Sequence, residues 1–195
     1  MSRPASSEPP PLSRREAFDE IVQWGDPVLR SQTSRVTEFD DALAGQAAAM
    51  IRIMDGAIGA GLAAPQIGSL RRLLVYRPAA GSPARALVNA EVVDASEETA
   101  RGLEGCLSIG YAQIAVEVER PIRVTVKAQE LDGTPVEIKA EAMHARVLQH
   151  EIDHLDGVLM LQRTDRDQRR DAIRALHAEE PYAPPSADPA DIVVE

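Results

Sequence analysis

Residues 141–157 read EAMHARVLQHEIDHLDG, and this stretch decides the fold. Its apolar positions recur with the spacing of an α-helix, and Gly157 is a residue type that commonly ends one, so we predict a helix from Glu141 to Asp156. One face carries Met143 and Val147 together with two histidines and a glutamate, and another carries leucine and isoleucine. Because a helix that is apolar on two sides is usually buried, we expect the rest of the domain to enclose it.

The same helix contains the pattern H-E-x-x-H, from His150 through Glu151 to His154. Residues four apart on a helix lie about 6 Å apart along its axis, so both imidazoles can reach one metal ion from the same side. Glu151 can then face a water molecule at that metal and take its proton. The alternative is a chance match in which both histidines are hydrogen-bonded core residues. We favour the metal site, because two imidazoles and a carboxylate are costly to desolvate in a core without a metal.

Two histidines leave a catalytic metal one protein ligand short, since three ligands and a water molecule are usual. A zincin-type metallopeptidase would supply the third ligand downstream, where His177, Glu179 and Glu180 are available. The other candidate is Cys106, within Glu104-Gly105-Cys106-Leu107-Ser108. A lone cysteine is more often a small buried apolar residue, but next to an incomplete metal site a ligand role gains weight. A Cys/His/His set suits Zn(II) and also Fe(II) or Ni(II).

A glycine-rich segment, Gly59 to Gly68, follows the first long helix pattern. It lacks the spacing of a phosphate-binding loop or a dinucleotide fingerprint, and a helix end followed by a turn explains it equally well. Pro65 fixes the backbone just before Gln66, whose amide could therefore be a positioned donor to an oxyanion.

Composition excludes several classes of protein. The single cysteine among 195 residues cannot form an internal disulfide. A formal net charge of −10 opposes long-range attraction to nucleic acid or to an anionic membrane surface, so we expect neither as a partner. With neither a long apolar segment nor a signal-peptide pattern, the chain is expected to be soluble and unsecreted.

The length fits one domain, and the termini have little to bury. We predict a disordered tail over 1–15, a single catalytic domain over 16–180 and a second disordered tail over 181–195. Within the domain, residues 164–180 are charged and predict a peripheral helix. An amphipathic helix with Asp40 as its N-cap and Ile58 in its apolar stripe comes before a set of short, mainly antiparallel strands. The predicted strands cover 70–76, 86–88, 91–94, 113–118, 122–128 and 136–139. Helices separate from such strands indicate an α+β fold.

Three ordered motifs resemble the peptide deformylase family. They are G-x-G-x-A-A-P-Q at 59–66, E-G-C-L-S at 104–108 and H-E-x-D-H-L at 150–155, and the similarity covers about residues 18–163. The resemblance implies the α+β fold of that family, with strands around the central H-E-x-x-H helix. It also implies one divalent metal on Cys106, His150 and His154, most commonly Fe(II), with Zn(II), Ni(II) or Co(II) as replacements.

The same resemblance implies roles for further residues. Glu151 would be the general base and then the general acid, and Gln66 and the backbone N–H of Leu107 would be the oxyanion donors. Nascent chains that begin with N-formylmethionine would be the substrates. A monomer in a bacterial cytoplasm, in transient contact with the ribosome, would be expected.

We expect the peptide backbone of the substrate to lie along Gly59 and Gly61, with Leu62 and Met143 lining the methionine pocket, and we place Glu104 among the substrate-binding residues. The sequence departs from the family after Ser108, where Ile109-Gly110-Tyr111 replaces the usual proline and no arginine comes before Arg120. This departure predicts a changed preference among peptide substrates.

Overall fold

The structure is a computed structural model that describes residues 10–185, 187 and 193–194. The α-helices among these residues are α1 (Arg14–Asp19), α2 (Asp41–Ala57), α3 (Ala142–Leu155) and α4 (Arg166–Ala178). Its strands are β1 (Gly61–Ala63), β2 (Leu73–Tyr76), β3 (Arg85–Ala95), β4 (Thr99–Gly105), β5 (Ala115–Pro121), β6 (Arg123–Gln129), β7 (Pro135–Glu141) and β8 (Val193–Val194).

The strands form two sheets. The larger has the order β1-β2-β3-β6-β7, and all of its neighbours are antiparallel. The smaller has the order β5-β4-β8, with β4 and β5 antiparallel and β8 parallel to β4. The predicted α+β class, mainly antiparallel strands around a buried helix, is confirmed.

Helix α3 is the element around which both sheets are arranged. Every residue from Ala145 to Leu155 is buried, which agrees with a helix that has two apolar faces. Leu148, Ile152 and Leu155 pack into one core cluster with Leu87 and Val126 of the larger sheet. The face that carries the histidines points instead toward the loop after β4.

Helix α2 begins as predicted, because the Asp40 side chain accepts a hydrogen bond from the Leu43 N–H at 2.9 Å. Leu43, Met50 and Met54 pack into a second core cluster. The helix ends one residue earlier than its apolar stripe suggested: Ile58 adopts a left-handed conformation and is 74% exposed.

Strands were less accurately predicted than helices. β1 and β4 were not predicted, and the two short strands expected at 86–88 and 91–94 form one strand, β3, whose pairing with β6 shifts register twice. β1 is a glycine-rich edge strand, and β4 contains charged residues and two glycines, so neither shows the apolar alternation of a half-buried strand.

The ends of the described chain make specific contacts. Ser13 and Glu16 form a capping box at the start of α1, and the backbone of Tyr182 forms a bridge with Ile114. Residues 1–9 of the predicted N-terminal tail lie outside the described residues, as does most of 186–195, so the tail boundaries stay predictions. None of the described helices combines the length and the apolar character that a membrane span requires.

Candidate metal centre

Cys106, His150 and His154 form a buried group of possible metal ligands. One ligand atom from each residue lies within 4.8 Å of the other two, and the Cys106 Sγ is 3.3 Å from His154 Nε2. Helix α3 places the two histidines one turn apart, and the loop after β4 brings in the cysteine. A thiolate and two imidazoles at these separations fit one ion with ligand bonds of about 2.0–2.3 Å.

The electrostatics of His154 suit coordination. Complete burial lowers its pKa well below the usual value, and the neighbouring His150 and Arg120 act in the same direction. The imidazole is therefore neutral at physiological pH, which is the form that binds metals.

Glu104 lies behind His150 and holds its ring. Its Oε2 is 3.0 Å from His150 Nδ1, and its two oxygens accept bonds from Arg120 at 2.6 and 2.9 Å. Arg146 donates a further bond to Oε1 at 2.6 Å. Burial disfavours the carboxylate, but the bonds from Arg120 and His150 outweigh it and lower the pKa of Glu104.

This position differs from the substrate-binding role expected for Glu104. The side chain is fully buried, and both oxygens are taken by other residues of the chain, so it has nothing to offer a substrate. A carboxylate on the outer nitrogen of a ligating histidine instead fixes the ring so that the other nitrogen faces the metal.

Glu151 is fully buried next to the ligands, and neither carboxylate oxygen has a hydrogen-bond partner among the described residues. Burial raises its pKa well above the usual value. The carboxylate lies against Gly61, where an added Cβ would overlap it. A buried carboxyl group without partners is costly for folding alone, so it points to a functional role.

Gln66 presents its amide nitrogen to the ligand group. Its Oε1 accepts from the Ala63 N–H at 2.7 Å, which orients the amide. Its Nε2 then lies 3.8 Å from Cys106 Sγ and 3.3 Å from Ser108 Oγ. Gln66 and Cys106 are thus neighbours in the structure, although 40 residues separate them along the chain.

The residues expected to contact the substrate, 59–62 and Met143, lie in two different environments. Gly59 and Met143 line one surface cavity of about 690 Å³, together with Ile58, Ala60 and Val147. Leu62 is fully buried in the core cluster of α2, so its side chain does not face that cavity. The Leu107 side chain belongs to the same core cluster and lies so close to Gly59 that a Cβ added there would be 2.8 Å from it.

Sequence reasoning missed several residues that support the site. Gln23 donates to the Leu107 carbonyl at 3.0 Å and accepts from the Tyr111 N–H at 3.2 Å. Arg120 donates to Asp153 at 2.8 Å in addition to Glu104. The sequence did contain a sign that Arg120 is buried. Arg120 follows Val116 and Val118 at every second position of a strand, so it faces inward, where an arginine requires acidic partners.

The downstream residues considered as a third ligand lie elsewhere. The His177 ring stands edge-on to Trp24 with centroids 5.7 Å apart, and it lines a separate cavity with Glu179 and Glu180. Within the described part of the chain, Cys106, not one of these three, completes the ligand group. The zincin-type alternative is therefore wrong in its third ligand.

Fold and site together place the chain in a class, the metal-dependent hydrolases. A sequence model of the family described as Polypeptide deformylase matches residues 18–170. The peptide deformylase of Thermotoga neapolitana is 46% identical over 140 residues, which cover 72% of this chain and 83% of that protein. The one from Treponema pallidum is 42% identical over 159 residues, which cover 82% and 96%.

Solved structures agree. The crystal structure of the Thermotoga maritima peptide deformylase superposes with a TM-score of 0.71 at 43% identity, covering 74% of this chain and 96% of that one. Arabidopsis thaliana peptide deformylase 1B, in complex with an inhibitor, gives a TM-score of 0.77 at 34% identity, covering 82% and 88%. The chain belongs to the peptide deformylase family.

Proposed function

We propose that this chain removes the N-formyl group from the initiator methionine of nascent polypeptides and releases formate. The observation that carries the proposal is the buried carboxyl of Glu151, which has no hydrogen-bond partner among the described residues and lies beside the Cys106/His150/His154 group, in a chain that matches the family over residues 18–170. We place this activity in a bacterial cytoplasm, in a monomer that contacts the ribosome transiently.

Cys106, His150 and His154 would hold one divalent cation, which supplies Lewis-acid activation of water and of the formyl carbonyl. Fe(II) is the ion we propose for the cell, with Zn(II), Ni(II) or Co(II) able to replace it. Glu104 keeps the His150 ring oriented for this purpose.

Glu151 would move the proton. A carboxyl group whose pKa is raised by burial can take a proton from the attacking water and retain it long enough to pass it on. The departing amine needs that proton when the tetrahedral intermediate collapses, and the same carboxyl returns it. Base and acid are therefore one residue at two moments of the reaction.

Negative charge on the formyl oxygen would be stabilised by the Gln66 amide and by the backbone N–H of Leu107. Gln66 is held in place by its bond to Ala63, so it needs little reorganisation when the charge develops. The Gln23 side chain fixes the Leu107 peptide from its carbonyl side.

The substrate peptide would extend along the backbone of Gly59 to Gly61, where missing side chains allow close approach. Met143, together with Val147 of α3, would border the apolar space for the methionine side chain. Leu62 would contribute through its backbone, since its side chain belongs to the core.

Formate release from formyl-Met-Ala-Ser tests the proposal. The wild-type chain should release formate, a chelator should abolish the activity, and added Fe(II), Ni(II) or Co(II) should restore it. Glu151→Ala should keep the metal but lose at least about 100-fold in kcat/KM, as expected for removal of a general base. Glu179→Ala, outside the ligand group, is the matched control. Near wild-type turnover by Glu151→Ala would contradict the assigned role.

Metal content tests the ligand set separately. Cys106→Ser should lower the bound metal per chain, measured by elemental analysis, whereas His177→Ala should not. Loss of metal from His177→Ala with retention in Cys106→Ser would contradict the ligand assignment.

A further inference from the structure

Strand β4 has an edge that ends at the metal centre. One side of β4 pairs with β5 along its whole length, and its last residue, Gly105, directly precedes Cys106. The other side pairs with β8, in parallel, only at its end: Glu104 is opposite Val193, and Gly105 is opposite Val194. Residues near the end of the chain thus lie one residue away from a proposed metal ligand.

Strand β1 is the corresponding edge of the larger sheet. Gly61 of β1 lies against Glu151, and Glu104 of β4 bonds to His150, so the two edges meet consecutive residues of α3. The two edges also come close to each other, since Gly59, two residues before β1, lies against Leu107, two residues after the end of β4. An extended peptide that lies along β1 to reach the candidate ligands therefore also passes the end of β4, and strand edges are where peptide backbones add.

We infer that the segment containing Val193 and Val194 is an intramolecular competitor, which occupies the β4 edge that the backbone of a peptide substrate would otherwise use. The inference rests on the proposed function. A paired strand two residues long contributes few hydrogen bonds, so a substrate can displace it. The segment would raise the apparent KM without changing the chemistry at the metal.

A second contact ties this segment to the same sheet. The Ala115 N–H donates to the Tyr182 carbonyl at 2.7 Å, and the Tyr182 N–H donates to the Gln113 carbonyl at 3.0 Å. Tyr182 thereby anchors the chain beside β5, eleven residues before Val193. Pairing of Val193 and Val194 with β4 is therefore intramolecular, which compensates for a weak individual contact.

The decisive variant is Val193→Pro/Val194→Pro in the full-length, metal-loaded protein. Proline removes the backbone N–H that strand pairing requires, whereas Val193→Thr/Val194→Thr keeps both N–H groups and β-branching and is the matched control. If the segment occupies the edge in most molecules, the proline variant should show an apparent KM for formyl-Met-Ala-Ser lower by about 3- to 10-fold, with kcat unchanged. The threonine variant should match the wild type.

Addition of the segment in trans gives a complementary measurement. A synthetic peptide of residues 186–195, SADPADIVVE, should inhibit the proline variant competitively and have less effect on the wild type, whose edge is already occupied. A scrambled peptide of the same composition should not inhibit. An unchanged KM in the proline variant, or inhibition equal to that by the scrambled peptide, would overturn the inference.

Hydrogen exchange separates this inference from the proposed function. Backbone amides of residues 103–106 should exchange faster in the proline variant than in the threonine variant, whether or not the protein is active. Faster exchange with an unchanged KM would mean that the segment only stabilises β4, which overturns competition. If no variant releases formate, the proposed function fails, and calorimetric titration with Met-Ala-Ser then decides whether the segment competes with a peptide.

Discussion

Gly61 leaves the space that the Glu151 carboxylate fills. An added Cβ would meet the Oε1, Cδ and Cγ atoms of Glu151, and β1 cannot move away without breaking its pairing with β2. In Gly61→Ala the side chain of Glu151 must therefore swing aside. We expect formate release to fall by at least about 100-fold, as for loss of the base itself, while metal content and the unfolding transition stay near wild type.

Gly45→Ala is the matched control at the residue scale. Gly45 lies within α2, and nothing stands within 4 Å of a Cβ added there. Alanine is the better helix former, so this variant should keep full activity and gain about 0.5–1 kcal/mol of stability. Full activity in Gly61→Ala, measured as kcat/KM, would show that Glu151 need not lie where this glycine places it.

At the scale of elements, the stability of helix α2 depends on the residue that caps its N-terminus. The Asp40 side chain accepts from the Leu43 N–H, and Asp41 follows within the first turn without that bond. Asp40→Ala should lower the free energy of unfolding by about 1 kcal/mol, the usual value of an N-cap, when metal-free protein is unfolded in urea. Asp41→Ala should lose less. Equal losses would show that charge at the helix start, not the capping bond, stabilises α2.

Helix signals could be found in the sequence because they are local. Asp40 precedes an apolar periodicity, and the helix that carries His150 and His154 shows two apolar faces, so both elements follow from neighbours within a few residues. Strands β1 and β4 have no such signal. Their pairing is set by residues of β2 and β5 that lie ten or more positions away along the chain, and their glycines allow other residues to come close rather than favour a strand.

The site shows the same division between local and distant information. The grouping of Cys106, His150 and His154 as possible metal ligands could be predicted, since few residue types bind such metals. The role of Glu104 could not, because a carboxylate next to the cysteine in sequence can face either a substrate or the back of a histidine. Only the packing of β4 against α3, with Arg120 and Arg146 on the same carboxylate, decides between them.

At the scale of the molecule, a buried charge network joins the smaller sheet to the central helix. Glu104 of β4 binds Arg120 of β5 and Arg146 of α3, and Arg120 continues to Asp153 of α3. No strand pair among the described residues joins the two sheets; short connections between β3 and β4 and between β5 and β6 link them, and this network adds a link through α3. Such buried pairs add little over apolar packing, but removal of one partner leaves the others charged and desolvated.

Glu104→Gln tests both consequences of that network. The amide keeps the shape of the side chain but removes the charge that faces Arg120, Arg146 and His150. We expect metal-free protein to lose about 3–5 kcal/mol in urea unfolding, the range seen when buried pairs are broken. Metal affinity, measured by competition with a chelator, should fall about 10- to 100-fold, because His150 loses its orienting partner.

Glu98→Gln is the control variant. The ion pair of Glu98 with Arg123 is 3.4 Å long and mostly exposed. Because solvent screens such pairs, they have little effect on stability. Both stability and metal affinity should stay near wild type in that variant. If Glu104→Gln loses stability but binds metal as tightly as the wild type, then His150 is oriented by the helix alone and Glu104 serves only to balance the two arginines. If it loses metal affinity alone, Arg120 and Arg146 have found other acceptors, and the packing of the smaller sheet on α3 does not depend on Glu104.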